Sequence, residues 1–199
     1  MITEQQKQQF KLLSQQCREV HIPVVREKTA ELLCSLIQKH QPKNILEIGT
    51  AIGYSGTLML LSCDKSHLTT LDANQVMCQK AQDTFKQYGV DGRATILNTD
   101  ALDFFKTNTQ KFDFIFLDGP KGQYIKYLPY LKQSLNSGGV CFCDDVLYFG
   151  MVKDDSLVIH KKITIVRNLR QFIATVQADP DFYSELLDLE DGVLLITKK

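Results

Sequence analysis

Hydrophobic residues recur along this chain with two different spacings, and the change between them divides the sequence into short and long elements. Short apolar runs rich in β-branched and aromatic residues alternate with longer segments whose apolar positions follow a helical period. The runs predict strands at 44–48, 68–72, 93–97, 112–117 and 140–143, and the longer segments predict helices at 54–62, 74–88, 100–106 and 122–135. Repeated βα units of this kind indicate a parallel, doubly wound sheet.

The two ends of the chain differ from this alternation. Two helices are predicted before the first strand, at 4–19 and 25–39, with Pro23 between them. An amphipathic helix at 161–177 precedes two closely spaced strands, at 182–187 and 192–198, which favours an antiparallel pair. The predicted fold class is therefore α/β, with a mostly parallel, seven-stranded, Rossmann-like sheet that ends in an antiparallel hairpin. We expect one domain over 1–199, with N-terminal helices in 1–40 and the core in 41–199.

Composition excludes several classes of partner. The chain of 199 residues has 23 Lys plus Arg and 23 Asp plus Glu, so a polyanion could bind only at a local basic patch. No apolar run approaches the roughly 20 residues that span a bilayer, and the polar N-terminus does not resemble a signal peptide. We therefore expect a cytoplasmic protein without a membrane partner. The six cysteines form no CxxC pair, which favours reduced thiols over disulfides or zinc.

A glycine turn follows the first predicted strand, at the sheet edge where α/β proteins bind ligands. Thr50 and Ala51 occupy positions where a dinucleotide fingerprint has bare backbone, which favours a ligand without phosphate, such as S-adenosylmethionine. Asp72 ends the next strand, where a carboxylate can accept hydrogen bonds from ribose hydroxyls. Asp100 and Ala101 follow the third strand, and Asp100 either lies near the adenine or caps the short helix. A purely structural βα turn is the alternative for the whole motif.

Carboxylates follow two strands that should be neighbours. Asp118 ends one strand, and Asp144 and Asp145 end the other, so the three would repel one another unless a cation lay among them. Oxygen ligands favour Mg²⁺, with Mn²⁺ or Ca²⁺ as alternatives, although one or two of these aspartates could instead cap helices or turns. Lys121 stands at a predicted helix start, where cations are unfavourable. It is either a general base whose pKa a cation and a sulfonium lower, or an ordinary exposed lysine.

These motifs resemble a known family over nearly the whole chain. ILEIGTAIGYS, FDFIFLDGPKGQY and GGVCFCDDVLYFG are similar to segments of the cation-dependent O-methyltransferases, the catechol and caffeoyl-CoA O-methyltransferase superfamily. GTAIGYS, DGPKGQY, DDVLYFGMV and the basic KKITIVRNLRQF resemble the small bacterial members that methylate 5-hydroxyuridine in tRNA. One position departs from the pattern, because the family usually has Asp-Asn where this chain has Asp144-Asp145. We expect the extra carboxylate to raise cation affinity and to leave less charge for acidifying the acceptor.

The resemblance implies an S-adenosylmethionine-dependent and divalent-cation-dependent O-methyltransferase with a Rossmann-like class I fold, acting as a homodimer. It implies that Asp118, Asp144 and Asp145 bind the metal, and that Lys121, with Asp118, is catalytic and deprotonates the acceptor hydroxyl. The implied cofactor-binding residues are Val24, Glu47, Gly49, Tyr54, Ser55, Asp72, Asp100, Ala101 and Asp118.

The acceptor stays open between two classes. A cation can be chelated by the adjacent hydroxyls of a catechol or by the 5-hydroxyl and 4-carbonyl oxygens of 5-hydroxyuridine. Basic residues cluster on the last predicted helix, as either a phosphate footprint or an ordinary solvated face: Lys161, Lys162, Arg167 and Arg170. The resemblance favours tRNA, with 5-methoxyuridine as the product. The alternatives are a small-molecule catechol or phenol O-methyltransferase and, more remotely, a non-catalytic nucleoside-binding domain.

Overall fold

The fold is a seven-stranded sheet with helices on both faces. A computed structural model describes residues 4–19, 22 and 24–199. The strands are β1 (Asn44–Ile48), β2 (His67–Asp72), β3 (Ala94–Asn98), β4 (Phe112–Leu117), β5 (Leu135–Cys143), β6 (Phe182–Leu187) and β7 (Val193–Lys198). The helices are α1 (Glu4–Glu19), α2 (Glu27–His40), α3 (Tyr54–Ser62), α4 (Gln75–Gln87), α5 (Ala101–Thr107), α6 (Tyr124–Ser134) and α7 (Ile163–Ala178).

The strand order is β3-β2-β1-β4-β5-β7-β6. The first five strands in this order run parallel to their neighbours, whereas β7 lies antiparallel between β5 and β6. The predicted mostly parallel sheet with a C-terminal antiparallel hairpin is therefore confirmed. Because the order reverses between β1 and β4, a crevice opens outside the carboxyl ends of these strands, where doubly wound proteins bind ligands.

Two hydrophobic cores cover the two faces of the sheet. Residues of α5, α6 and α7 pack on one face, and residues of α2, α3 and α4 pack on the other. The central strands are covered on both sides, which explains why β4 is almost continuously apolar. Tyr124 of α6 is fully buried, and its hydroxyl donates to the carbonyl oxygen of Leu117 at the end of β4. This contact fixes the start of α6 below the carboxyl edge of the sheet.

Two predicted boundaries were wrong around β5. The helix predicted at 122–135 begins only at Tyr124, because Lys121–Gln123 form a 3₁₀ turn first. The turn expected at 136–139 lies inside β5, which already pairs with β4 at Leu135 and then shifts register. Gly139 permits this irregularity, since a Cβ there would lie 2.9 Å from the carbonyl oxygen of Asn136.

The cysteines and the helices add two further observations. All six cysteines are free thiols. Within residues 4–19, 22 and 24–199, no helix combines the length and the apolar character needed to cross a membrane.

Candidate active site

A half-open cavity of about 520 Å³ lies at the carboxyl edge of the sheet. Gly49, Asp72, Asp118 and Asp144, which follow or end four different parallel strands, line it. The extended segment 24–26 closes one side. The cavity therefore occupies the crevice that the strand order creates, and it brings the predicted glycine turn and the predicted carboxylates together.

The glycine turn is shaped by its close contact with the next strand. Gly49 has φ +102°, and a Cβ there would lie 2.5 Å from the carbonyl oxygen of Asp118, so only glycine fits. The hydroxyl of Thr50 points inward and shares a hydrogen bond of 2.6 Å with Thr70. The side chain of Ala51 is small enough to line the cavity. The turn thus leaves space for a ligand, while the amides of Gly49, Thr50 and Ala51 already donate to Leu71 and Asp72.

Asp72 lies between β2 and the glycine turn. Its Oδ2 accepts a hydrogen bond from the amide of Ala51 at 2.9 Å, and its Oδ1 accepts one from the amide of Asn74 at 2.8 Å. These two amides fix the carboxylate at the cavity wall. Each carboxylate oxygen can accept a second hydrogen bond, so Asp72 can still bind a pair of hydroxyls.

Asp100 has the capping role that the sequence left open. Its Oδ1 accepts a hydrogen bond of 2.8 Å from the amide of Leu102, which caps the N-terminus of α5. Asp100 and Ala101 also line the cavity, as does Val24. The cap is confirmed, and the contacts of these three residues with a cofactor stay a prediction.

Glu47, Tyr54 and Ser55 are not among the residues that line the cavity, and their contacts with a cofactor stay a prediction. Glu47 is fully buried and accepts hydrogen bonds from Ser55 at 2.5 Å and from Thr70 at 2.6 Å. Burial raises the pKa of Glu47 to about 7. Tyr54 and Ser55 are also buried, in the first turn of α3. The two carboxylate oxygens of Glu47 thus join β1 to β2 and to the start of α3 through hydroxyls of the protein.

The three predicted metal ligands converge. Asp118, Asp144 and Asp145 each offer a carboxylate oxygen, and these oxygens lie within 4.8 Å of one another. Burial, together with the charges of Asp118 and Asp145, raises the pKa of Asp144 to about 7. Burial also raises the pKa of Asp118. A hard divalent cation fits this set, since it would use oxygen ligands and offset their repulsion.

Lys121 contacts the same carboxylates. Its Nζ lies 2.5 Å from Asp118 Oδ1, 3.6 Å from Asp145 Oδ2 and 3.1 Å from the hydroxyl of Tyr124. Burial lowers the pKa of Lys121, but the nearby oxygens of Tyr124 and Asp118 outweigh it and raise this pKa well above its usual value. The lowering expected beside a cation and a sulfonium stays a prediction. Lys121 is also no ordinary exposed lysine, because its side chain is only 12% exposed.

The segment 145–150, which begins at the predicted metal ligand Asp145, has an unusual backbone conformation. Asp145, Tyr148 and Phe149 all have positive φ, between +47° and +56°. Asp191 stabilises this conformation, because its Oδ1 accepts a hydrogen bond of 2.6 Å from the amide of Phe149. Its own carbonyl oxygen accepts one from the amide of Leu147. The ring of Phe149 lines the cavity and is 65% exposed.

Sequence reasoning missed the cavity residues Arg26 and Phe149. Phe149 could have been suspected, since it belongs to the loop after the carboxyl end of β5. Arg26 gave no comparable signal, because it precedes the helices that lead into the sheet.

The predicted basic patch on the last helix is only partly available for binding. Arg170 donates hydrogen bonds to the carbonyl oxygens of Met151 and Val152 and pairs with Asp155 at 2.7 Å. It therefore stabilises the loop before α7. Lys162 lies 5.7 Å above the ring of Tyr148. The remaining two members of the patch, Lys161 and Arg167, are exposed.

Comparison with known proteins supports a family assignment. Residues 4–199 match the model of the O-methyltransferase family. The Dictyostelium discoideum protein named Probable caffeoyl-CoA O-methyltransferase 2 is 28% identical over 188 residues, which cover 90% of this chain and 79% of that protein.

Two solved structures share the fold. A Staphylococcus aureus protein, provisionally described as a caffeoyl-CoA O-methyltransferase, has a TM-score of 0.88 and 30% identity over 96% of this chain and 92% of its own. A Podospora anserina methyltransferase solved with S-adenosylhomocysteine has a TM-score of 0.80 and 27% identity over 88% of this chain and 80% of its own. With the cavity at the carboxyl edge of the sheet, these findings show that the chain belongs to the O-methyltransferase family and is an S-adenosylmethionine-dependent enzyme.

Proposed function

We propose that this protein uses a divalent cation to methylate an acceptor with two adjacent oxygens, and that its acceptor is 5-hydroxyuridine in tRNA. The observation that carries the cation dependence is the convergence of Asp118, Asp144 and Asp145 at the cavity wall. The resemblance of the sequence motifs to the small bacterial tRNA enzymes supports the choice of acceptor.

Different residues of the chain have different roles in the proposed reaction. Asp72 and the glycine turn orient the cofactor, and Asp118, Asp144 and Asp145 would hold the cation. The cation, when bound, supplies Lewis-acid chemistry that lowers the pKa of the acceptor hydroxyl. Lys121, when its amine is uncharged, receives the proton of the acceptor hydroxyl at its Nζ. The fixed wall of the cavity aligns the acceptor oxygen with the methyl group, and such orientation contributes much of the acceleration.

The acceptor can be tested directly by mass spectrometry of tRNA nucleosides from cells with and without the gene. We expect cells without the gene to lose 5-methoxyuridine and to accumulate 5-hydroxyuridine. Unchanged 5-methoxyuridine would contradict the tRNA proposal. It would favour the second candidate, a small catechol or phenol, which a cavity of about 520 Å³ can accommodate.

Replacing Asp72 with alanine should weaken S-adenosylhomocysteine binding by about 1–3 kcal/mol, the cost of leaving polar groups unpaired. The variant loses the acceptor for the amides of Ala51 and Asn74 as well as for the ribose. Titration calorimetry measures the affinity. Asp103→Ala is the control, because it removes an exposed carboxylate that does not line the cavity. Equal affinities for both variants would remove Asp72 from the cofactor site.

Replacing Asp145 with asparagine should alter the preference among Mg²⁺, Mn²⁺ and Ca²⁺ while leaving activity measurable. It should also stabilise the protein without a cation at neutral pH. The charge of Asp145 helps raise the pKa of Asp144 from 3.8 to about 7, so ionisation of Asp144 costs stability as pH rises through this window. Asp145→Asn should reduce that loss. Thermal unfolding at pH 5 and pH 8 with a chelator measures it, and identical pH dependence in both proteins would contradict this electrostatic account.

Charge reversal at Lys161 and Arg167 should raise the KM for tRNA and hardly change that for catechol, because phosphate contacts position the polymer only. Initial rates at several salt concentrations measure the effect, and the tRNA reaction should lose about 0.9 log unit per log unit of salt for each phosphate contacted. Arg170 is left unchanged because it stabilises the loop. Equal losses of activity with tRNA and with catechol would show that these residues of α7 stabilise the fold and do not bind tRNA.

A further inference from the structure

Two cationic side chains line the cavity among the described residues, Arg26 and Lys121. Lys121 is engaged by the carboxylates of the proposed cation site. Arg26 is bound more loosely, since its Nη2 lies 3.7 Å from Asp191 Oδ2, which is beyond hydrogen-bond distance, and its side chain is 44% exposed. The planar guanidinium has five N–H donors, so Arg26 retains donors that a ligand in the cavity can use.

Asp191 brings Arg26 next to Phe149. This carboxylate is 5% exposed, and its Oδ1 accepts the hydrogen bond from the amide of Phe149 while its Oδ2 faces Arg26. The neighbouring Glu190 accepts hydrogen bonds from the amide and the hydroxyl of Thr29 and so anchors the start of α2. The start of α2, which follows Arg26 directly, is therefore anchored, while the guanidinium of Arg26 is paired with Asp191 only at 3.7 Å.

Three kinds of contact are available on the cavity wall that includes Arg26. Asp145 belongs to the proposed cation site, the exposed ring of Phe149 provides a flat apolar surface, and Arg26 provides a positive charge. A planar ring can stack on a phenylalanine ring while its adjacent oxygens face the cation. A negative group attached to such a ring would then lie within reach of a guanidinium that has donors to spare.

We propose that Arg26, which Asp191 links to the segment of Phe149 through a loose ion pair, binds an anionic group carried by the methyl acceptor. This inference rests on the proposed function, because it places the acceptor ring between the cation site and Arg26. The shared chemistry is a phosphate or a carboxylate: a nucleotide would present the first and a phenolic acid the second. Arg26 thereby selects charged acceptors over neutral ones.

The experiment compares matched acceptors that differ in one anionic group. Catechol is paired with 3,4-dihydroxybenzoate, and 5-hydroxyuridine is paired with its 5′-monophosphate. Wild-type enzyme should favour the anionic member of each pair in kcat/KM. In Arg26→Gln this preference should fall about ten-fold or more, mainly through KM, as expected for a lost charge-assisted hydrogen bond. A larger fall for the nucleotide pair identifies phosphate as the group, and a larger fall for the catechol pair identifies carboxylate.

Lys28→Gln is the matched control. It removes the same charge from a neighbouring exposed position that does not line the cavity, and it should leave the preference as in the wild type. Arg26→Lys should retain part of the preference, because it keeps the charge without the planar fork. Thermal unfolding checks that each variant is folded.

Two results would overturn the inference. One is an equal loss for the anionic and neutral members of both pairs in Arg26→Gln. The other is a preference unchanged by Arg26→Gln while S-adenosylhomocysteine affinity falls, which would mean that Arg26 binds the carboxylate of the cofactor. If wild-type enzyme methylates no acceptor of either pair, the proposed function is still decided by the tRNA nucleosides of cells with and without the gene. Calorimetric binding of the same pairs then decides the inference, and equal affinities of wild type and Arg26→Gln would reject it.

Discussion

Replacing Asp144 with alanine should reduce methyl transfer about a thousand-fold, because the cation that it helps to hold contributes several kcal/mol of transition-state stabilisation. Asp118→Ala should have a similar effect, and a chelator should inactivate the wild type to the same degree. Without a cation, Asp144→Ala should unfold at a temperature no lower than the wild type, since it removes a buried carboxyl whose ionisation is unfavourable. Initial rates with added Mg²⁺ or Mn²⁺ and thermal unfolding measure these effects.

Asp103→Asn is the control for this loss of charge, because Asp103 lies on α5 outside the cavity and pairs with Lys106 at the surface. Its activity should match that of the wild type. Mn²⁺ binding, measured by electron paramagnetic resonance, distinguishes the loss of a cation ligand from the misplacement of the acceptor. Full activity after exhaustive chelation would reject the cation, and unchanged Mn²⁺ affinity in Asp144→Ala would remove Asp144 from the ligand set.

The sequence predicted the centre of this site well because the information is local. Apolar runs mark the strands, and parallel strands end at a common edge, so the residues directly after them must meet there. Asp72, Asp118 and Asp144 each follow or end such a run, and the structure places all three at one cavity. The seven strands were predicted for the same reason, with errors confined to boundaries such as Leu135.

Residues that depend on contacts between distant segments could not be predicted. Arg26 lies at the site where Glu190 accepts a hydrogen bond from the start of α2 and Asp191 accepts one from the loop after β5. The positive φ angles of the segment that carries Phe149 depend likewise on Asp191. The sequence places Arg170 in a basic surface patch, yet its hydrogen-bond partners lie in a loop that no periodic pattern describes. Long-range hydrogen bonds therefore set the details that local patterns do not encode.

Replacing Lys121 gives the second large expected effect. Lys121→Met should lower kcat by about 10²–10⁴, the usual contribution of a positioned general base. Cation affinity should not fall, because the variant removes a positive charge that lies 2.5 Å from Asp118 and 3.6 Å from Asp145. Binding of S-adenosylhomocysteine should also be retained. Steady-state rates, Mn²⁺ binding and calorimetry measure the three quantities.

The variant Lys121→Arg distinguishes a role of Lys121 as proton acceptor from a role of its positive charge alone. Arginine keeps the positive charge beside Asp118 but is not deprotonated in proteins, so it cannot accept the proton of the acceptor hydroxyl. If Lys121 acts as a base, the arginine variant should be about as inactive as Lys121→Met. The carboxylates that raise the pKa of Lys121 are the ones a cation would engage, which allows this pKa to fall when the site is filled. Activity restored by arginine would show instead that Lys121 serves as a fixed charge that balances the carboxylates.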